Sequence, residues 1–234
     1  GINRLSLNVA GLMNRRIEDE KKKKDLEYQM LQSQINPHFL YNTLDSIKWM
    51  ATIQNASGIA EMTTALARLL KSVAKGTRKV IPLREEISLL DNYFLIQQYR
   101  YGGAITLKKD LDENLLDNVI LRFTLQPLLE NAIFHGIEPK GGAGNIRVAA
   151  RLQDEKTVEV SVEDDGVGMD ETAIRKIFAD ENENTSGLFR QIGIRNVHRR
   201  IQYEFGEQYG LTITGKPGVF TRASVLLPRR SCIS

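Results

Sequence analysis

Four stretches of this sequence carry side chains whose types and spacing suit chemistry. The segment VEDDGVGMD, residues 162 to 170, ends a run of alternating residues with Asp164 and Asp165, then sets Gly166 and Gly168 one residue apart. A carboxylate leaving a strand can accept a hydrogen bond from an exocyclic amine, and glycines let backbone approach a flat ring or a phosphate closely. An acidic β-turn is the bland alternative. In LQPLLENAIFHG, residues 125 to 136, Leu125, Leu128 and Ala132 continue an apolar helical face from Leu121, which leaves Glu130 and Asn131 on an adjacent one. Asn offers a neutral oxygen to Mg²⁺ and Glu a base, the combination a nucleotide phosphate site requires, although such a pair also suits a plain helix surface. His135 continues the Leu121 stripe and equally fits core or lid packing. QIGIRNVHRRI, residues 191 to 201, reads as a loop entering a helix at Gly193, where free N–H groups meet phosphate and Arg195 adds charge. His198, Arg199 and Arg200 read as a solvated face of that helix.

The fourth stretch, LQSQINPHFLYNTLDSIKWMA, residues 31 to 51, places Pro37 directly before His38 inside what otherwise reads as one helix. A helix-interior proline removes a hydrogen bond and strains the preceding turn, at about 3 kcal/mol. The carbonyl of Ser33 loses its donor there, so the helix is expected to kink, and Asn42 and Asp45 follow His38 at i+4 and i+7. This predicts a hinge at Pro37, with Asn42 orienting the imidazole.

The elements that must position these groups follow from periodicity. Helix formers dominate from about Leu5 to Ile53, and Leu26, Met30, Ser33, Pro37, Leu40, Leu44, Ile47 and Ala51 form a coiled-coil-like seam at steps of 4 and 3. After a break at residues 54 to 58, Ile59, Met62, Leu66, Leu69 and Val73 repeat at 3 and 4 and stop at Lys75 and Gly76. A two-helix hairpin cannot bury both seams alone; a dimer forming a four-helix bundle does. Residues 77 to 82 read as a linker, followed by a helix to about Arg100, a strand at 104 to 109, a helix at 121 to 136, strands at 145 to 152 and 157 to 163, helices at 170 to 178 and 193 to 205, and strands at 211 to 214 and 219 to 227. Val158, Val160 and Val162 share one strand face. The class expected is α+β: a helical hairpin, then a sandwich of one mixed sheet covered on one face.

Composition bounds the rest. The 234 residues are 41% hydrophobic and 26% charged, ordinary globular values for one or two domains. A net charge of +3 is too mild to point to nucleic acid, and Lys21 to Lys24 follow Glu18, Asp19 and Glu20, as on a solvated helix. The lone Cys232 rules out an internal disulfide framework and fits a reducing compartment. No stretch reaches the roughly 18 apolar residues of a membrane span. The start at Gly1 rather than Met suggests a fragment of a longer protein.

Order and spacing together are more specific than any one motif. LQSQINPHFLYNTLDSI resembles the phosphoacceptor box of bacterial two-component sensor histidine kinases of the LytS/YesM-like branch. LLENAIFHG looks like the N box, DDGVGM like the first glycine box and GIRNV like the second glycine box of the Bergerat-type (GHKL) ATP fold shared with gyrase, Hsp90 and MutL. The resemblance covers nearly the whole chain. It implies a signal-relay (HAMP-like) helix end over residues 1–25, dimerisation and histidine phosphotransfer helices over 26–76, and a catalytic ATP-binding domain over 77–234. It further implies ATP and Mg²⁺, a homodimer, a response-regulator receiver domain as partner, and a place as the cytoplasmic portion of a bacterial cell-membrane receptor whose membrane span lies upstream.

Carried over by position, the resemblance makes His38 the residue phosphorylated, Asn131 the Mg²⁺ ligand, Asp164 the acceptor for the adenine amine and Glu130 a base-like activator. Gly166 and Gly168 give ring and lid their space, Gly193 sits beside the phosphates, and His135 and Arg195 join the nucleotide-binding set. Two positions depart from the pattern: Gln191 stands where relatives usually carry glycine, and Phe134 where many carry a phosphate-facing lysine. They support the alternative of a catalytically silent dimeric scaffold with a degenerate ATP site. An ATP-driven clamp of the gyrase or Hsp90 type is a third reading, disfavoured by the phosphoacceptor box.

Overall fold

The structure, a computed structural model, describes residues 37–74, 79–179 and 188–231, with Pro37, His38, Ala74, Ala179 and residues 188–192 described in backbone alone. The expected relay segment and the helix upstream of Pro37 lie outside the described residues. Helix α1, Pro37–Ile53, and helix α2, Ser57–Ala74, form a hairpin closed by a turn in which Asn55 takes a φ of 56°. Asn tolerates this left-handed conformation better than most residues. Ala51, Thr63 and Ala65 are buried small side chains of the hairpin, with Leu40 and Leu44 half-buried.

Two very short strands follow in part where a linker and a helix were expected. Strand β1, Val80–Pro82, precedes helix α3, Leu83–Arg100, which carries Glu85 and Glu86 in its first turn and Arg100 in its last, matching the helix dipole. The central sheet begins with β2, Ile105–Leu111, whereas β3, Val119–Leu121, pairs with β1 in a separate two-stranded sheet, Val80 opposite Leu121. Leu121 therefore ends a strand instead of opening a helix. Helix α4, Leu125–Asn131, starts four residues later and passes into a π-helical turn, Ala132–Ile137.

Strands β4, Gly144–Leu152, and β5, Thr157–Asp164, are followed by helices α5, Glu171–Ala179, and α6, Leu188–Phe205, and by strands β6, Gly210–Lys216, and β7, Phe220–Pro228. The main sheet runs β2-β4-β5-β7-β6, parallel at β2–β4 and antiparallel elsewhere, so it is mixed as expected. Alternation puts Ile146, Val148, Val158, Val160, Val162, Val225 and Leu227 on one buried face beneath Leu125, Leu129, Ile133, Val197 and Ile201 of the helices. The other face is a charge ladder, with Arg147 and Arg151 on Asp110 and Arg222 on Glu163. The result is an α/β sandwich preceded by a helical hairpin. The halves meet along α2 and α3, where the Tyr99 hydroxyl donates to Glu61 Oε2 (2.7 Å) and Arg122 Nη1 donates to the Ser72 carbonyl (2.8 Å).

Candidate active site

Asp164 sits at the last position of β5 on the same face as Val158, Val160 and Val162, so the strand's alternation drives a carboxylate into the apolar layer. It is 3% exposed, and its Oδ1 accepts the Gly166 N–H at 3.0 Å. Burial, reinforced by the charges of Asp165 and Glu163 and opposed by that hydrogen bond, pushes its pKa up to about 6. A buried acid with one stated donor needs further polar company.

The walls around it are backbone. A Cβ added at Gly136 would lie 2.1 Å from Asp164 Oδ1, and one at Gly166 would lie 2.2 Å from the Gly136 carbonyl. The Val167 N–H donates to the Gly136 carbonyl at 3.0 Å, so the π-helical turn and the glycine loop are zipped together with no side chain between them. Gly168, at a φ of +69°, backs onto the Lys216 carbonyl, and Gly218 N–H donates to the Val167 carbonyl at 2.6 Å, so the β6–β7 hairpin supports the loop. Partial burial raises Asp165, but the side-chain and backbone donors of Asn145, with Lys140, hold it below the usual carboxylate range.

Helix α4 is aimed by a long-range cap. The Glu86 carboxylate of α3, 2% exposed, accepts the N–H groups of Phe123, Thr124 and Leu125 at 2.9, 2.8 and 2.9 Å. These are amides a helix start leaves without intrahelical partners. Burial raises the Glu86 pKa, against the three amides and the charge of Arg200, which lower it. Phe123 takes a φ of 59° in this turn. At the far end of α4, Glu130 accepts a hydrogen bond from Gln126 Nε2 (2.9 Å), and Asn131 closes the α-helical part, half-buried. π-Turns inside helices often mark functional sites, and this one begins directly after Asn131. Phe134 and His135 lie in it, both half-buried and both engaged; Phe134 lies 5.4 Å from the Arg100 guanidinium carbon.

The second glycine segment differs from its expected form. Helix α6 starts at Leu188, so Gly193 lies inside the helix and not at its mouth. The amides left over at a helix start belong to its first turn, upstream of Gly193. A Cβ at Gly193 would meet only Pro127, at 3.8 Å. Arg195 directs Nε and Nη2 to the Ile177 carbonyl at 3.1 and 3.0 Å, tying α6 to α5. Two residues assigned to a solvated face are structural instead: His198 Nδ1 accepts the Leu211 N–H (2.9 Å) under the edge of Phe178, and Arg200 donates to the Arg122 carbonyl (2.8 Å).

The structure thus brings Asp164, Gly166 and Gly168 against the turn that follows Glu130 and Asn131. His38 is the second residue of α1 and its side chain lies outside the described residues, as does that of Gln191. Asn42 is exposed on α1 and engaged. Sequence reading left out Gly136 and Glu86. A glycine inside a helical run was the signal for the first; the second acts across 37 to 39 residues and had none.

Comparisons with known proteins agree with this architecture. Residues 26–105 match the histidine kinase family model, and residues 116–231 match that of the histidine kinase-, DNA gyrase B- and HSP90-like ATPase. The chain is 36% identical over 223 residues to the sensor histidine kinase YesM of Bacillus subtilis (strain 168), covering 95% of this chain and 37% of that protein. It is 31% identical over 204 residues to the uncharacterized protein YwpD of the same organism, covering 86% of this chain and 70% of YwpD. The catalytic domain of histidine kinase ThkA, in a nucleotide-free form, shares the fold at a TM-score of 0.50 and 20% identity, over 64% of this chain and 96% of that one. The chain belongs to the histidine kinase family, in the branch of YesM, and its C-terminal part is an ATPase domain of the class shared with DNA gyrase B and HSP90.

Proposed function

We propose that this chain is the kinase core of a two-component sensor: it binds ATP, transfers the γ-phosphoryl group to His38, and passes it to an aspartate of a response regulator. The observation that carries this reading is the buried carboxylate of Asp164 between two glycine-walled segments. With Oδ1 engaged by Gly166, Asp164 keeps lone pairs for an exocyclic amine, and Gly136 and Gly166 let the π-helical turn and the loop close directly on that carboxylate.

The site's donor chemistry fits the magnesium salt of the nucleotide. Asn131 offers a hard, neutral oxygen at the end of α4, and Mg²⁺ bound there would neutralise phosphate charge. Glu130, next to it, serves as the base-like group that takes up the imidazole proton. In its neutral form the His38 imidazole would offer its lone pair to phosphorus. A nitrogen–phosphorus bond forms as the bond from the γ-phosphorus to the bridging oxygen breaks and ADP departs, so alignment carries most of the catalysis. Gly168 lets the loop back directly onto the Lys216 carbonyl, and Arg195 ties α6 to α5 through Ile177. His135 lies half-buried in the turn that follows Asn131.

The chain works as a homodimer in this reading. Ile59, Leu66 and Val73 of α2 are exposed at 54, 41 and 51%, and Phe39, Met50 and Ile53 of α1 at 66, 54 and 65%, leaving apolar stripes that a four-helix bundle would cover. No described helix is long and apolar enough to cross a membrane. The chain is then the cytoplasmic portion of a membrane receptor, with domain limits near residues 25 and 76.

The test is incubation with γ-labelled ATP and Mg²⁺. Acid-labile, base-stable label on the wild type that disappears in His38→Ala supports the kinase; bound nucleotide without label on any histidine points to the silent scaffold. Sustained ATP hydrolysis indifferent to His38 points to a clamp.

A further inference from the structure

Helix α3 presents Glu86, Tyr93 and Arg100 at intervals of seven residues, two helical turns apart, and each meets the α4 segment in order. Glu86 caps its start, Tyr93 reaches Glu130, and Arg100 lies over Phe134. The middle contact has no structural need for an oxygen. Tyr93 packs its ring against the core, where phenylalanine would fill the same space, yet its hydroxyl hydrogen-bonds with Glu130 and Gln97. Gln97 is 8% exposed, and Gln126 also donates to Glu130 Oε1, at 2.9 Å. Burial, then the neighbouring Glu130 charge, holds the Tyr93 pKa well above its ordinary value, so the hydroxyl keeps its proton and acts as a donor.

A carboxylate held by two donors is restrained in its rotamer, whereas a surface glutamate samples several. From this clamp we infer that Tyr93 is a positioning residue for the phosphoryl transfer, holding Glu130 in the orientation from which it meets the imidazole of the phosphoacceptor. The inference rests on the proposed role of Glu130 and extends it to a helix that none of the nucleotide-binding motifs includes. Tyr93 touches neither nucleotide nor phosphorus; it acts through Glu130. Its removal should alter the rate of transfer and leave nucleotide affinity alone.

The experiment measures single-turnover phosphorylation of the full chain from γ-labelled ATP at saturation, alongside the Kd of a nonhydrolysable ATP analogue. Tyr93→Phe should slow phosphorylation about tenfold with the analogue Kd within about twofold of wild type. Glu130→Gln should slow it at least as much, and the double variant should be no slower than Glu130→Gln alone, because both changes break one unit. Gln126→Leu removes the other donor and should show the same split, which covers the case in which Tyr93→Phe does not fold. Wild-type rates in Tyr93→Phe, a loss that multiplies with that of Glu130→Gln, or a loss of analogue binding in place of rate each overturns the inference. If Glu130→Gln itself phosphorylates at the wild-type rate, the role proposed for Glu130 falls, and the positioning role falls with it. A slow Glu130→Gln beside a normal Tyr93→Phe overturns the positioning role alone.

Discussion

Asp164 faces two opposing demands. Its pKa of about 6 against an ordinary 3.8 means that the fold disfavours its charge, by about 3 kcal/mol at about 1.4 kcal/mol per tenfold. Because the folded value is raised, the stability linked to this group is fully present below 3.8 and is lost as pH rises through 6. Asp164→Asn keeps an oxygen for the Gly166 amide and abolishes the titration. Its stability relative to wild type should therefore climb between pH 4 and pH 7.5, reaching a gain of about 2 to 3 kcal/mol, while ATP-analogue binding drops by at least tenfold. Scanning calorimetry at both pH values checks the first part and titration of the analogue the second; a pH-independent difference would show that the charge is not what the fold resists. Gly136→Ala probes the neighbouring wall, since its methyl would sit 2.1 Å from Asp164 Oδ1. It should lower both stability and analogue affinity, as read by the same two measurements.

At the scale of elements, legibility followed the range of the interaction that fixes each one. The alternation of Val158, Val160 and Val162 announced β5 and, by continuing two residues further, placed Asp164 inward. Strands β1 and β3 have three residues each, too few for a period, and Leu121 was assigned to the helix it precedes. The start of α4 was equally hidden, because its cap is Glu86 and not a local Ser, Thr, Asp or Asn side chain hydrogen-bonded to the first turn. Glycine alone misplaced the start of α6: Gly193 reads as a helix boundary, yet the structure tolerates it within the helix, where it faces Pro127. The Glu86 cap itself is testable. Glu86→Ala leaves three amides without their acceptor in a buried turn, which should cost about 2 to 4 kcal/mol in chemical denaturation. Glu86→Gln restores one acceptor oxygen in the same place and should recover part of that loss. Equal stability of the alanine and glutamine variants would show that the contact only fills space.

For the molecule as a whole, the apolar stripes on the hairpin and the packing of α2 against α3 impose different roles on two faces of one helix. One face of α2 meets the ATPase-type domain through Gly58, where an added Cβ would come within 2.9 Å of the Tyr99 ring, and through Glu61 and Ser72. The other carries Ile59, Leu66 and Val73, a repeat at i, i+7 and i+14 that drifts only about 40° around the helix and so remains one stripe. The seam was legible at sequence level; that α2 would also carry the interface to the ATPase domain was not, because Glu61 and Tyr99 lie 38 residues apart and have no shared period. The two faces can therefore be separated by mutation. Ile59→Asp with Leu66→Asp places two carboxylates on the exposed stripe and leaves Gly58, Glu61 and Ser72 intact. If the proposed four-helix bundle forms, light scattering should then report a monomer for the variant against a dimer for the wild type, with ATP-analogue affinity unchanged because Asp164, Gly136 and Gly166 come together within one chain. A doubly substituted chain that remains dimeric would place the self-association surface elsewhere. One that becomes monomeric and also loses nucleotide would show that the hairpin and the ATPase domain are coupled through α2.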